Sequence, residues 1–247
     1  MSWLYALAFG VVLGVLGAYG VRRAVAACES ANRADWGGKW LNRLDGLNRL
    51  FCRRYHRLRH RRVPLPARGP ALVVANHVSG LDPLLMIAAC RRPLRFIIAR
   101  EQYERRWLTP LFRAIGCIPV ERLANSRPAL RAARRALEAG EVVALFPYGR
   151  IRLDHEPPAR LKRGVLHLAA QTGAPIVPLR IDGVRGQGRT VSAVLMRSRA
   201  RIRSHAPLRH PGRTPDALLD ELAGALAPAA KSKTRRPPLK SRSTAPL

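Results

Sequence analysis

The chain has 247 residues, enough for one medium α/β domain with appendages, and at 47% hydrophobic and 24% charged residues it is not a disordered polymer. Its 45 Lys and Arg against 15 Asp and Glu leave a net charge of +30, and 40 of the 45 are Arg. Such an excess implies a polyanionic partner: nucleic acid, an anionic membrane surface or a phosphorylated substrate. The four cysteines, at 28, 52, 90 and 117, are too scattered for a disulfide framework or a zinc site of ordinary spacing, so a reducing compartment and no metal are expected.

Trp3 to Val21 carries no charged side chain, and Arg22 and Arg23 follow at once. As a helix this stretch spans about 28 Å, close to the ~30 Å hydrocarbon core of a bilayer. Residues 1–23 are therefore expected to form a transmembrane helix. The positive-inside rule then places the rest of the chain on the cytoplasmic face of the inner membrane. A secretory signal would carry its basic residues before the apolar stretch rather than after it. Val25-Ala26-Ala27-Cys28 is similar to a lipoprotein cleavage box, but two arginines separate it from that stretch. Gly10 and Gly14, with Ala6 and Ala18, form a row of small residues that ordinary membrane-helix composition explains more simply than a packing face. A buried helix of a soluble domain is the remaining alternative.

Residues 24–66 read as a basic amphipathic segment. Trp36, Trp40, Leu44, Leu47, Phe51, Tyr55 and Leu58 recur at steps of three and four, one face of a helix. Arg43, Arg49, Arg53, Arg54, Arg57, Arg61 and Arg62 surround that face. Aromatic and aliphatic residues on one side with Arg on the other suit a helix lying in the membrane interface. The alternative is a helix packed on the domain with a solvated basic edge. His56 and His60 are four residues apart but lack a third ligand, so both are expected in solvent.

Pro64, Pro66 and Gly69-Pro70 open a domain at 67–227. Expected strands are 71–75, 94–99, 116–120, 142–146 and 175–181, with one or two more in 191–203. Expected helices are 84–90 (Asp82 as N-cap and Pro83 at its first position), 128–139, 164–172 and 214–227 (Thr214 as N-cap). This alternation predicts an α/β sheet domain. Residues 228–247, rich in Pro, Ser, Lys and Arg, are expected to be a disordered basic tail.

The chemistry gathers at strand ends. His77 leaves a buried strand, and Asp82 lies five residues on, past Gly80. A tight turn returns the carboxylate to the imidazole, fixing its tautomer and stabilising the imidazolium formed when it accepts a proton. A capping Asp beside an unrelated turn His has the same spacing. Further on come Gly116-Cys117-Ile118-Pro119-Val120-Glu121-Arg122, Phe146-Pro147-Tyr148-Gly149-Arg150, Leu161-Lys162-Arg163-Gly164 and Ile176-Val177-Pro178.

In these blocks the chain resembles the glycerophospholipid acyltransferase family, the PlsC-like enzymes typified by 1-acylglycerol-3-phosphate acyltransferase. That family shows N-H-x-x-x-x-D, an Arg at a strand end, F-P-E-G-T-R, F-K-x-G and V-P, and here the five occur in order over roughly residues 65–210. The resemblance implies a central mixed sheet flanked by helices. It also implies acyl transfer from acyl-CoA or acyl carrier protein, a co-substrate rather than a cofactor, to the hydroxyl of a lysophospholipid. His77 would take the proton, and Asp82 would orient it. Arg122, Phe146, Pro147, Tyr148, Gly149, Arg150, Lys162 and Gly164 would hold substrate, with Arg122 and Lys162 facing a phosphate. Tyr148 replaces the family's Glu, and Arg150-Ile151-Arg152 replaces Thr-Arg-Ser. The default acceptor is 1-acylglycerol-3-phosphate, in phospholipid biosynthesis. A different lipid acceptor and a catalytically altered lipid-binding relative are the alternatives.

Anionic membrane lipids account for the charge, since each Lys or Arg near an anionic surface contributes ~1 kcal/mol. Nucleic acid is not expected as a physiological partner: aromatic residues for base stacking are few, and several sit in the N-terminal segments.

Overall fold

The computed structural model describes residues 2–121, 126–157, 159–209 and 214–228. The first helix, α1 (Ser2–Ala31), runs eight residues past the boundary expected at 23. Neither Gly nor Pro interrupts Arg22-Arg23-Ala24-Val25-Ala26-Ala27, so nothing in the chain stops the helix there. Its segment Leu7–Ala31 is long and apolar enough to cross a membrane, and its large apolar side chains lie outside the protein core.

The second helix, α2 (Lys39–Arg54), corrects the expectation of one amphipathic unit over 24–66. Gly37, with φ +81°, and Gly38 separate it from α1, and the short strand β1 (Arg59–His60) beyond it already belongs to the sheet. Its buried stripe is Leu41, Asp45, Gly46, Arg49 and Cys52, whereas Trp40, Leu44 and Leu47 are exposed. The helix thus docks by a face containing an ion pair and turns its apolar face outward. A Cβ at Gly46 would overlap the Cys28 carbonyl, so α1 and α2 cross in backbone contact.

The remaining elements follow in order: β2 (Ala71–Ala75), α3 (Asp82–Ala89), β3 (Arg95–Ala99), α4 (Arg100–Tyr103), α5 (Thr109–Ala114), β4 (Ile118–Val120), α6 (Arg127–Glu138), β5 (Val142–Leu145), α7 (Gly164–Thr172), β6 (Ile176–Asp182), α8 (Val191–Leu195), β7 (Arg201–Ser204) and α9 (Pro215–Leu226). The described residues form a sheet of seven strands in the order β1-β7-β6-β2-β5-β3-β4. It is mixed: β6 and β7 run antiparallel, and the other neighbours are parallel. β2 lies at its centre, with Val73 opposite Ala144 of β5 and Val177 of β6. Ala71, Val73 and Ala75 face one apolar layer with Leu85 and Met86 of α3. Leu72 and Val74 face the other, with Leu137 of α6, Leu168 of α7 and Leu222 of α9. Coverage on both faces explains why β2 is an unbroken apolar run rather than an alternating one.

Two expectations change. Residues 191–203, expected to hold one or two strands, give the short helix α8 and then one strand, β7. His56 is buried, its Nε2 3.1 Å from the Val194 carbonyl and its ring edge-on to Phe51 and Tyr55. Burial lowers its pKa below the usual histidine range, against the smaller opposing effect of that carbonyl. The Thr214 cap holds, with Oγ1 accepting from Ala217 N at 3.3 Å. The expected basic tail, from 229 on, lies outside the described residues.

Candidate active site

As β2 ends, the buried Asn76 takes over its pairing with β6. The Asn76 amide donates to the Ile181 carbonyl (3.0 Å) and its oxygen accepts from the Ile181 amide (2.7 Å). The main chain is thereby released to turn and present His77. Asp82, expected as the N-cap of α3, instead lies in the first turn and sends its carboxylate back into the loop. Oδ2 accepts from Val78 N (2.6 Å), Ser79 N (2.8 Å) and His77 Nδ1 (2.9 Å), and Oδ1 accepts from Ser79 Oγ (3.0 Å). The carboxylate is fully buried, and these four donors replace the water it has lost. With Nδ1–H committed to Asp82, neutral His77 keeps its lone pair on Nε2. The His77 side chain is 15% exposed, and its ring stacks on Phe146 with centroids 3.9 Å apart.

The turn is held from outside as well. Gly80 N donates to Arg189 O (3.0 Å) and Gly188 N to Val78 O (2.8 Å). A Cβ on Gly80 would overlap the Thr190 carbonyl, so backbone packs on backbone here.

The loop after β5 lies alongside, joined through Arg152 N, which donates to the His77 carbonyl (2.8 Å). Tyr148 packs its ring on the apolar layer beneath the sheet, and the Arg152 guanidinium sits 4.9 Å from the ring centroid. Gly149 adopts φ +71°, and a Cβ there would lie 2.8 Å from Lys162 Nζ, so the lysine stem crosses the face that glycine leaves open. Lys162 N donates to Pro147 O (2.9 Å), and among the described residues its exposed ammonium has no ion-pair partner. Arg150 turns away to pair with Glu156 at 2.6 Å. The Leu153 amide and then that arginine hold the Glu156 carboxyl below its usual range. Gly164 begins α7, with Leu130 at contact distance from where a Cβ would stand.

Of the residues singled out in the sequence, the structure thus brings His77, Asp82 and Phe146 together. It groups Pro147, Tyr148, Gly149 and Lys162 beside them and directs Arg150 elsewhere. Arg122 lies outside the described residues. Just before it, Glu121 pairs with Arg100 at 2.9 Å, on the rim of a cavity of about 540 Å³ beyond the ends of β3 and β4. Arg106, Arg113 and Tyr103 also line that cavity.

Sequence reasoning passed over Ser79, Arg152 and Arg180. The Ser79 hydroxyl accepts from Leu81 N while donating to Asp82. Buried Arg180 ties the far end of the β5 loop, through Asp154, to Asp182 and to the last carbonyl of α9, Leu226 O, at 2.7 Å. The signal available for Arg180 was an Arg interrupting the apolar run 176–181. Burial raises the thiols of Cys52, Cys90 and Cys117 to about 12, which leaves them as packing groups. Among the described residues no three His, Cys, Asp or Glu side chains gather as a metal site would require.

An acyltransferase family model matches residues 56–182. A probable 1-acyl-sn-glycerol-3-phosphate acyltransferase of Mycoplasma pneumoniae is 34% identical over 122 residues, covering 47% of this chain and 45% of the relative. Its Mycoplasma genitalium counterpart is 32% identical over 143 residues, 55% of this chain and 50% of the relative. The chain therefore spans about half the length of the curated relatives it matches. The crystal structure of the 1-acyl-sn-glycerophosphate acyltransferase PlsC from Thermotoga maritima superposes with a TM-score of 0.60 over 86% of both chains at 19% identity, a likeness of fold.

Proposed function

The chain belongs to the acyltransferase family, and on that premise we propose that it moves a fatty acyl group from a thioester donor to the hydroxyl of a lysophospholipid. The observation that carries this reading is the His77–Asp82 pair, with its buried, fully bonded carboxylate and a lone pair left on Nε2. Nε2 takes the proton of the acceptor hydroxyl as the oxygen attacks the thioester carbonyl. The new C–O bond forms, the tetrahedral intermediate collapses with loss of the thiolate, and the imidazolium returns its proton to that sulfur. Asp82 holds the ring and balances its positive charge in between. A positioned base of this kind contributes about 10² to 10⁴ in rate.

The acceptor of this reading is 1-acylglycerol-3-phosphate, in phospholipid biosynthesis. Lys162, unpaired among the described residues, and Arg122 supply cations for its phosphate. The named acyltransferase relatives support the same substrate. The donor is acyl-CoA or an acyl carrier protein, and no cofactor enters. In this reading α1 anchors the chain in the inner membrane with the catalytic domain on the cytoplasmic face, near anionic lipids, and nucleic acid plays no part. Purified protein given labelled acyl-CoA or acyl carrier protein and a panel of lysolipids tests it. Transfer to the phosphomonoester acceptor, lost in His77→Ala, is the expected result; transfer only to acceptors lacking a phosphate would refute the assignment of the acceptor.

A further inference from the structure

A second cluster of cations lies at the junction of α1 and α2, and none of its residues belongs to the His77 loop. A cavity of about 280 Å³ opens where the end of α1 meets the last turns of α2, lined by Ser30, Ala31, Arg33, Leu50, Arg53 and Arg54. Leu50, Arg53 and Arg54 stand at i, i+3 and i+4, so one face of α2 forms one wall. No carboxylate lines it. Glu29, next in sequence to Ser30, is engaged with Arg43 at 2.8 Å. Among the described residues the Arg53 and Arg54 side chains have neither an ion-pair nor a hydrogen-bond partner, so their guanidinium groups are available to a ligand.

The opposite wall is pre-built. Arg33 Nη1 donates to Ser30 O (2.9 Å) and Asn32 O (3.0 Å), and its backbone amide is bonded to Asp45 (3.3 Å). Asp45 is itself locked to Arg49, whose guanidinium donates to the Ala88 and Cys90 carbonyls at the end of α3. Three arginines therefore line one concavity that has no carboxylate among its lining residues, while the Ser30 hydroxyl is committed to Ala27 O (3.1 Å), and guanidinium groups suit the forked acceptors of a phosphate. Its surroundings define which phosphate. One flank is α1, whose large apolar side chains from Leu7 to Val21 are exposed, and the other is α2, which turns Trp40, Leu44 and Leu47 outward. Ser30 lies about 13 Å along the helix axis beyond Val21, on the water side of the apolar stretch, where long arginine stems reach back toward lipid headgroups.

We propose that Arg33, Arg53 and Arg54 form a binding site for the phosphate of one anionic phospholipid, separate from the acyl-transfer site. The proposal rests on the membrane placement of α1 and does not require that His77 be catalytic.

The test uses the full chain in neutral detergent micelles, with added phosphatidylglycerol, phosphatidylcholine or inorganic phosphate. Thermal unfolding reports stabilisation by a bound ligand, and native mass spectrometry counts lipids retained. Phosphatidylglycerol is expected to raise the midpoint and leave a 1:1 adduct, while phosphatidylcholine and inorganic phosphate at the same concentration do neither. Arg33→Gln/Arg53→Gln/Arg54→Gln is expected to weaken the lipid at least tenfold. A charge-matched control, Arg131→Gln/Arg135→Gln/Arg197→Gln, keeps the adduct, and so does His77→Ala. An adduct that survives the first triple variant, is lost equally in the control, or is matched by inorganic phosphate overturns the proposal.

Discussion

Two loops leave the carboxyl ends of neighbouring parallel strands and are held in opposite ways. Between β2 and α3, one buried carboxylate collects four donors, and Gly80 is pressed against the Thr190 backbone. Between β5 and α7, the chain is held by arginines: Arg150 on Glu156, Arg152 over Tyr148 and on the Glu156 and Pro157 carbonyls, and Arg180 on Asp154. In the first loop His77, Ser79 and Gly80 cannot change without losing a side-chain bond to Asp82 or disturbing a backbone contact. The second is a set of long side chains on a frame, and it is here that Tyr148 and Arg150-Ile151-Arg152 depart from the motif of the family. The comparison separates a fixed chemical half of the site from a half free to adapt to its acceptor.

The hardest blow to the fixed half is His77→Ala, which should lower turnover by at least about a hundredfold at unchanged thermal stability, since a positioned base contributes about 10² to 10⁴. Asp82→Asn should follow closely, because an amide cannot accept from all four donors and leaves the imidazole free to turn. Single-turnover acyl transfer measures both. Near-normal rates in either would remove the basis of the comparison.

Gly80→Ala tests the loop without touching a reacting group. Its methyl meets the Thr190 carbonyl, so the turn must shift. Displacement of a catalytic group by about 1 Å costs on the order of 10²-fold. The loss should appear in kcat with the acceptor KM little changed. A drop in stability without a drop in kcat would show that the turn yields elsewhere.

Much of this arrangement is legible in the residues, and the exceptions have physical causes. The apolar run 71–75, the helix 164–172 and the Thr214 cap appear as read, because each is dictated by local pattern: burial on both faces, a helix-forming stretch ended by Gly173, a hydroxyl before Pro215. The orientation of α2 is not legible. Its periodicity marks Trp40, Leu44 and Leu47 as a face for the membrane interface or for packing on the domain, and the stripe that docks is a different one, containing Asp45 and Arg49. Those charges are buried because Arg49 finds the carbonyls of Ala88 and Cys90, 39 and 41 residues away, partners that no helical period encodes. Asp82 reads as a cap by type and position, and only the fold reveals that its carboxylate points backward. The β5 loop was legible as a motif but not as a frame, since Arg152 and Arg180 act through tertiary contacts.

Tyr148 probes the adaptable half. Among the described residues its ring packs on the apolar layer and under Arg152 while its hydroxyl has no hydrogen-bond partner, so Tyr148→Phe should keep the Arg152 stack, a contact of ~0.5–2 kcal/mol, and change kcat/KM by less than about twofold. Tyr148→Leu removes the ring and should raise the acceptor KM severalfold while sparing the donor. A large loss in Tyr148→Phe would instead assign the hydroxyl to the acceptor.

The smallest effect is expected at a residue outside both loops, and it checks that their difference is local. His56 is buried between α2 and the segment before β7, and burial depresses its pKa in the folded chain below the 6.5 of an exposed imidazole. Between the two values the unfolded chain binds the proton more readily, so stability contributed by neutral His56 is present above pH 6.5 and declines as pH falls through the folded pKa. Thermal midpoints taken between pH 7.5 and pH 5 should therefore fall, and His56→Gln, which keeps a donor for the Val194 carbonyl but cannot titrate, should flatten that decline. At pH 7.5 the same variant should leave acyl transfer and its response to Gly80→Ala and Tyr148→Leu unchanged. If His56→Gln altered the balance between those two variants, the loops would be coupled through the packing of α2, and their contrast would belong to the whole fold rather than to the bonds within each.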